Sequence, residues 1–70
     1  MTYKAIIIDD EAKARRLLQV LVEENCPEIE IVAQAEDVPN GVKAIHQYKP
    51  DIVFSDIDMP VYNGFHLLDF

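Results

Sequence analysis

The sequence predicts an α/β protein built on a doubly wound parallel sheet, and three observations predict this class. Short, apolar, β-branched runs alternate with longer segments whose apolar residues recur at helical spacing. Residues typical of caps and turns separate the two kinds of segment. Carboxylates follow two of the apolar runs, at residues 9–11 and at Asp56, which is where open α/β sheets bind ligands.

The first half of the chain is predicted to form a strand, a helix and a second strand. Residues 4–9 are apolar and β-branched, as in a strand buried on both faces. Residues 11–24 have helical periodicity, with Asp10 as the expected N-cap, and Asn25-Cys26-Pro27 ends the helix. Glu28 to Ala35 is the second predicted strand, with one face formed by Ile29, Ile31 and Ala33 and the other by Glu30, Val32 and Gln34.

The first helix is predicted to be amphipathic. Its apolar positions share one side of a helical projection, and its charged positions share the other. The expected apolar face comprises Ala14, Leu17, Leu18, Leu21 and Val22, and the expected solvated face comprises Lys13, Arg15, Arg16, Gln19 and Glu23.

The second half of the chain repeats the alternation. Asp37 is expected to cap a helix over residues 38–48, because Pro39 is tolerated in a first helical turn. The apolar face of this helix is expected to include Val42, Ile45 and Tyr48. Asp51 opens a third strand, and after a loop over residues 60–64 a third helix begins with Phe65, Leu67 and Leu68. This order, βαβαβα, implies parallel strands joined by right-handed crossovers.

Composition excludes several classes of function for this segment. The net charge is -7, from 13 acidic and 6 basic residues, which argues against direct nucleic-acid binding. No apolar run approaches the roughly 18 residues of a membrane span. Cys26 is the one cysteine, so no intrachain disulfide is possible. A free thiol without a secretory leader indicates a cytoplasmic setting.

The pattern of elements stops at Phe70 within the third βα unit, so we expect the 70 residues to be the front part of a longer domain. In a doubly wound sheet of order 2-1-3-4-5, a fourth strand would cover the third. Without it, the apolar edge formed by residues 52–54 would be bare. We therefore expect self-association through this edge, or a domain swap.

The acids at two strand ends predict one acidic pocket. Such a pocket predicts a divalent cation, and the cation predicts phosphate chemistry. Taken alone, residues 9–11 fit a helix cap and Asp56 fits a turn, but together they favour a metal site. The sequence has no metal-ligand spacing that includes His46 or His66, so both are expected to be surface or half-buried residues, and Cys26 is expected to be an ordinary thiol.

The chain resembles the N-terminal part of the response regulator receiver domain, the CheY-like module of two-component signalling. Four features carry the resemblance, in the order in which the family has them: Asp9-Asp10-Glu11 after strand one, Lys49-Pro50-Asp51 before strand three, Asp56-Ile57-Asp58-Met59-Pro60 at its end, and Asn63-Gly64 with Phe65, Leu67 and Leu68 beyond. The sequence around Asp56 is most similar to receivers attached to LytTR-type DNA-binding domains. Ser55 departs from the bulky apolar residue that is usual there.

The resemblance implies a fold, a reaction and partners. The fold would be flavodoxin-like. Asp56 would accept a phosphoryl group from a sensor histidine kinase, Asp10 would ligate Mg2+ directly, Asp9 would hold it through water, and Asp58 would contribute its backbone carbonyl. The first helix, with Lys13, Arg15 and Arg16, would help to dock the kinase. A C-terminal output domain that binds DNA and regulates transcription would read the phosphorylation. The family's hydroxyl residue and lysine would lie beyond Phe70.

Two other functions compete with this signalling switch, which we expect not to be a turnover enzyme. A haloacid-dehalogenase-like phosphohydrolase also uses an Asp-x-Asp motif at a strand end, as in Asp56-Ile57-Asp58. That family places its motif on the first strand and does not follow it with Met59-Pro60. A pure interaction module would keep the fold without the chemistry, which the presence of Asp9, Asp10 and Asp56 disfavours.

Overall fold

The computed structural model describes residues 2–56, which form a three-stranded parallel sheet and two helices. The elements are β1 (Tyr3–Ile8), α1 (Ala12–Asn25), β2 (Ile29–Ala35), α2 (Val38–Tyr48) and β3 (Ile52–Ser55). The strand order is β2-β1-β3, and both pairings are parallel. The predicted parallel sheet is confirmed. The third helix predicted from Phe65 lies outside the described residues.

The central strand β1 supplies the core. Ile6, Ile7 and Ile8 are at most 1% exposed, because β1 has a strand on each side and a helix packed against it on each face. Ile6 and Ile8 pack with Ala44 and Ile45 of α2, whereas Ile7 lines a cleft with residues of α1. This two-sided burial is what the β-branched run predicts.

The alternation predicted for β2 is wrong at Val32. The register against β1 shifts between Ala5, which pairs with Ile31, and Ile6, which pairs with Ala33. Val32 is therefore an extra residue, as in a β-bulge. Both Val32 and Ala33 pack against the core cluster on the α2 side, although they were predicted on opposite faces.

The predicted cap of α1 is also wrong. Glu11, not Asp10, occupies the N-cap position, and its side chain makes no capping hydrogen bond. The backbone N–H of Glu11 instead donates to Asp9 Oδ1 at 2.9 Å. The helix thus begins one residue later than expected, and Glu11 has the extended backbone of an N-cap (φ -102°, ψ 120°). The Asp9 N–H bonds the Ala35 carbonyl and prolongs the β1–β2 pairing by one residue.

Only part of the predicted apolar face of α1 packs on the sheet. The residues that turn inward are four apart: Ala14 and Leu18 are half-buried, and Val22 is buried. Leu17 and Leu21 are 61% and 46% exposed, because among the described elements α1 makes extensive contacts only with β1 and β2. On the predicted solvated face, Lys13, Arg16 and Glu23 are exposed, whereas Arg15 and Gln19 are half-buried.

The prediction for α2 is confirmed at both ends. Asp37 is the N-cap, and its carboxylate accepts the Asn40 N–H at 2.9 Å. The helix ends at Lys49, which adopts the left-handed conformation with φ 48° and donates its N–H to the Ile45 carbonyl. Ile45 is buried as predicted, but Tyr48 is 39% exposed.

Gly41 brings α2 unusually close to β1. A Cβ atom at this position would lie 2.6 Å from Ile8 Cδ1 and 3.2 Å from Ile8 Cγ1. A larger residue at position 41 would therefore require the Ile8 side chain, or the helix, to shift.

Asp51 joins β3 to β1 at the amino ends of the strands. Its N–H donates to the Lys4 carbonyl at 2.8 Å, and its carboxylate accepts the Lys4 N–H at 2.9 Å. This paired contact fixes the register in which Ile8 lies opposite Ser55 at the other end of the strands.

Within residues 2–56, no helix is long and apolar enough to cross a membrane. The outer edge of β3 pairs with no other strand in this part of the chain, and self-association through it stays a prediction.

Candidate functional site

The site lies at the carboxyl ends of β1 and β3. Ile8 pairs with Ser55, so the next residues, Asp9 and Asp56, leave the sheet side by side. The Asp56 N–H donates to the Ile8 carbonyl at 3.1 Å, which holds the two chain segments together at this point. The sequence prediction that the two acids meet at one edge of the sheet is confirmed.

Asp9 and Asp56 share an open cleft of about 450 Å³ between α1 and the sheet. The carboxylates lie at the strand ends, and the walls are mostly apolar. Among residues 2–56, the lining is Ile7, Ile8, Asp9, Ala14, Leu18, Phe54, Ser55 and Asp56. A concave, largely apolar site with a few convergent polar groups is typical of ligand binding.

Asp9 is held by three hydrogen bonds from three different parts of the molecule. Its N–H donates to the Ala35 carbonyl at 3.0 Å. Its Oδ1 accepts the Glu11 N–H at 2.9 Å. Its backbone carbonyl accepts a hydrogen bond from Arg15 Nη1 at 2.7 Å. Asp9 is half-buried and its backbone is fixed, as a preorganised ligand requires.

The other predicted metal ligands are less constrained or not described. Asp10 and Asp56 are exposed, and Asp10 does not line the cleft. Asp58 lies outside the described residues. Within residues 2–56, no three His, Cys, Asp or Glu side chains come together closely enough to hold a metal ion. The four-residue metal site therefore stays a prediction.

The donor chemistry nevertheless fits Mg2+. This ion prefers oxygen ligands, keeps several of its waters and binds proteins through one or two carboxylates. Asp9 and Asp56 supply two carboxylates in one cleft, and the described contacts of the Asp9 side chain use only Oδ1.

The residues that were predicted to have no role in the site lie elsewhere. His46 is exposed in the last turn of α2, and Cys26 is half-buried at the end of α1. Neither lines the cleft. His66 lies outside the described residues.

Arg15 is the site residue that the sequence reasoning missed, since it was assigned to the solvated face. One signal could have found it. Side chains of an α-helix lean toward its N-terminus, so a long side chain at the fourth helical position can reach back to the preceding turn. Arg15 is the fourth residue of α1, and its guanidinium reaches the carbonyl six residues earlier.

Comparison with solved structures defines the class of this fold and site. The structure is similar to the crystal structure of the response regulator domain of Thermotoga maritima CheB, with a TM-score of 0.77 and 28% identity. The match covers 86% of this chain and 44% of that one. The fold is thus the flavodoxin-like fold of receiver domains.

The family follows from the sequence. The model of the response regulator receiver domain matches residues 5–69. The chain therefore belongs to the response regulator receiver domain family, and the resemblance recognised from the sequence is confirmed.

Relatives with different output functions share this segment. An uncharacterised response regulatory protein of Vibrio cholerae is 47% identical over 64 residues, which are 91% of this chain and 27% of the relative. The transcriptional regulatory protein BtsR of Escherichia coli K12 is 38% identical over 93% of this chain and 27% of its own length. A protein-glutamate methylesterase/protein-glutamine glutaminase of Geobacter sulfurreducens is also 38% identical over 93% of this chain, but over 17% of its own length. The chain thus spans about a quarter or less of these relatives.

Proposed function

We propose that the chain is a phosphoacceptor switch in which Asp56 receives a phosphoryl group from a sensor histidine kinase. The observation that carries the proposal is the placement of Asp9 and Asp56 on paired strand ends, in one cleft, in a member of the receiver family. A carboxylate at the mouth of a cleft is accessible to a donor. A second carboxylate beside it supplies a cation ligand.

The transfer is a displacement at phosphorus. An Asp56 carboxylate oxygen attacks the phosphorus of the kinase phosphohistidine, and a P–O bond forms as the P–N bond breaks. The electron pair of the P–N bond returns to the imidazole ring, and the product is an acyl phosphate. Pairing with Ile8 fixes the backbone of Asp56, so the attacking group starts from a defined position.

Mg2+ would be held by Asp9, Asp10 and Asp56 with the backbone carbonyl of Asp58. When bound, it neutralises the repulsion between the acceptor carboxylate and the phosphoryl oxygens. The chain's own contribution is to hold these acids together. Asp9 is fixed by its bonds to Ala35, Glu11 and Arg15, and Asp56 by its bond to Ile8.

The proposed output is transcription. BtsR is named as a transcriptional regulatory protein. We propose a DNA-binding output domain, of the LytTR type that the sequence around Asp56 predicts. Two relatives are named as protein-glutamate methylesterase/protein-glutamine glutaminase, so similar segments also occur in proteins with enzymatic names. We propose no enzymatic turnover for the receiver segment itself, beyond its own phosphorylation and dephosphorylation. We propose the cytoplasm as its location, because a histidine kinase and DNA would both be met there.

The test is intact-mass analysis after incubation with Mg2+ and acetyl phosphate. The expected result is one added phosphoryl group, absent without Mg2+ and absent in Asp56→Asn. Glu36→Gln is the matched control, because Glu36 follows β2 as Asp9 follows β1 but does not line the cleft. It should label normally.

The alternatives predict other results. A pure interaction module would remain folded and unlabelled with Mg2+ present. Sustained release of phosphate from monoesters would indicate a phosphohydrolase. The family membership and the position of the acceptor after the third strand both favour the receiver.

A further inference from the structure

Arg15 differs from the other cations of α1. Lys13 and Arg16 are exposed, whereas Arg15 is half-buried. Its Nη1 donates to the Asp9 carbonyl at 2.7 Å, a short distance for a charge-assisted hydrogen bond. The partial burial and the short contact indicate a specific role for this side chain.

The side chain of Arg15 spans the turn between β1 and α1. It binds the carbonyl of Asp9, whereas its backbone N–H makes the ordinary first bond of the helix, to the Glu11 carbonyl at 3.1 Å. The N-cap of α1 lacks a side-chain hydrogen bond of its own. The Arg15 side chain and the Asp9–Glu11 bond, together with the bond from the Asp9 N–H to the Ala35 carbonyl, therefore hold the turn that carries the three acidic residues 9–11.

The choice of acceptor is informative. An arginine beside clustered acids commonly pairs with a carboxylate, and such a pair would compete with a metal ion. Here the guanidinium binds a backbone carbonyl, and no described contact places it on the Asp9 carboxylate. The positive charge lies close to the acidic turn, and the described contacts of the Asp9 carboxylate use only Oδ1, which accepts the Glu11 N–H, so Oδ2 stays available for a cation.

We propose that Arg15 is a positioning residue that sets the Asp9-Asp10 turn for binding a divalent cation. This inference rests on the proposed phosphoacceptor function. Arg15 acts through Asp9 and does not touch the cation or the phosphoryl group. The proposal gives Arg15 and Arg16 different roles. Arg16 lies on the exposed surface of α1, and its predicted role in kinase docking is unchanged.

The test compares Arg15→Ala and Arg15→Lys with Arg16→Ala, which removes a neighbouring arginine that is exposed. Mg2+ affinity is measured by titration calorimetry, and labelling by acetyl phosphate is followed across Mg2+ concentrations. Removing a group that orients a metal ligand typically weakens metal binding by about 10- to 100-fold. We expect a loss at the low end for Arg15→Ala, partial recovery in Arg15→Lys, and an unchanged affinity in Arg16→Ala.

Labelling separates positioning from a general loss of folding. Saturating Mg2+ should restore the labelling rate of Arg15→Ala to that of the unmodified protein, because a higher cation concentration compensates for a weaker affinity by mass action. Circular dichroism tests whether each variant is folded. If Arg15→Ala does not fold, the comparison is made with Arg15→Lys.

Two other results would overturn the inference, and they are distinguishable. If the unmodified protein binds Mg2+ and is labelled, but Arg15→Ala and Arg15→Lys keep its Mg2+ affinity, only the role of Arg15 is wrong. If the unmodified protein neither binds Mg2+ nor is labelled, the phosphoacceptor function and the role of Arg15 fail together.

Discussion

The N-termini of the two helices are built in opposite ways. At α2, Asp37 is the N-cap, its carboxylate accepts the Asn40 N–H, and a proline lies in the first turn. At α1, Glu11 is the N-cap and its side chain makes no capping bond, although acids occupy residues 9–11. The α2 terminus follows the rules for helix stability, whereas the α1 terminus leaves its carboxylates for another use. Departures from local rules are expected at functional sites, and here the departure adjoins the cleft.

The largest expected effect comes from removing the carboxylates at the α1 terminus. In Asp9→Asn/Asp10→Asn, the amide oxygen at residue 9 can still accept the Glu11 N–H, so the fold should persist. Loss of cation ligation should lower the rate of acetyl phosphate labelling about 100-fold or more, since a bound metal contributes several kcal/mol of charge stabilisation. Intact-mass time courses measure the rate.

The thermal midpoint provides the control for this double variant. Mg2+ should raise the midpoint of the unmodified protein by mass action and leave that of the variant unchanged. A variant that is labelled at the original rate would show that the α1 acids are merely a surface feature.

The second effect tests the packing of the α2 terminus. Gly41→Ala would place a Cβ 2.6 Å from Ile8 Cδ1 in a fully buried side chain. Overpacking costs about 1–3 kcal/mol, and the better helix propensity of alanine offsets about 1 kcal/mol of that. We expect a net loss of about 1 kcal/mol in the free energy of unfolding, measured by urea denaturation.

A compensating change makes this prediction specific. Ile8→Val removes the atom that the new Cβ would meet, so Gly41→Ala should be less costly in an Ile8→Val background than alone. An equal cost in both backgrounds would place the strain somewhere other than the Gly41–Ile8 contact.

The smallest effect compares the two caps directly. Asp37→Ala should destabilise the protein by about 1 kcal/mol, because the Asn40 N–H loses its acceptor. Glu11→Ser should stabilise it by about 0.5 kcal/mol, because Glu11 has the extended backbone of an N-cap but no side-chain bond. Urea denaturation without Mg2+ measures both changes. If Asp37→Ala raised the free energy of unfolding, or Glu11→Ser lowered it, the two helix termini would not differ in the way described.

Much of the fold could be predicted because its signals are local. The sheet, the bounds of α2 and the Asp37 cap follow from patterns within a few residues. The meeting of Asp9 and Asp56 follows from one topological rule, that parallel strands end at the same edge.

The features that were missed depend on distant contacts. The chain between β1 and α1 is held by the bond from the Asp9 N–H to Ala35, which is far away in sequence, and Glu11 rather than Asp10 is the N-cap. The extra residue Val32 is defined only by the register against β1. Leu17 looks like a core residue in its helix, but its exposure depends on what the sheet covers. These features depend on tertiary contacts, so the local periodicity of the sequence does not predict them.

The extra residue in β2 has a consequence for how the protein resists aggregation. Within residues 2–56, β2 is an edge strand, and its outer side presents unpaired backbone groups. An incoming chain would form a regular ladder only if it matched the register on both sides of Val32. Bulges and charged side chains make edges poor templates for fibril growth, and Glu30 adds an exposed charge near the bulge. The bulge thus disfavours edge-to-edge association of copies of the protein through β2.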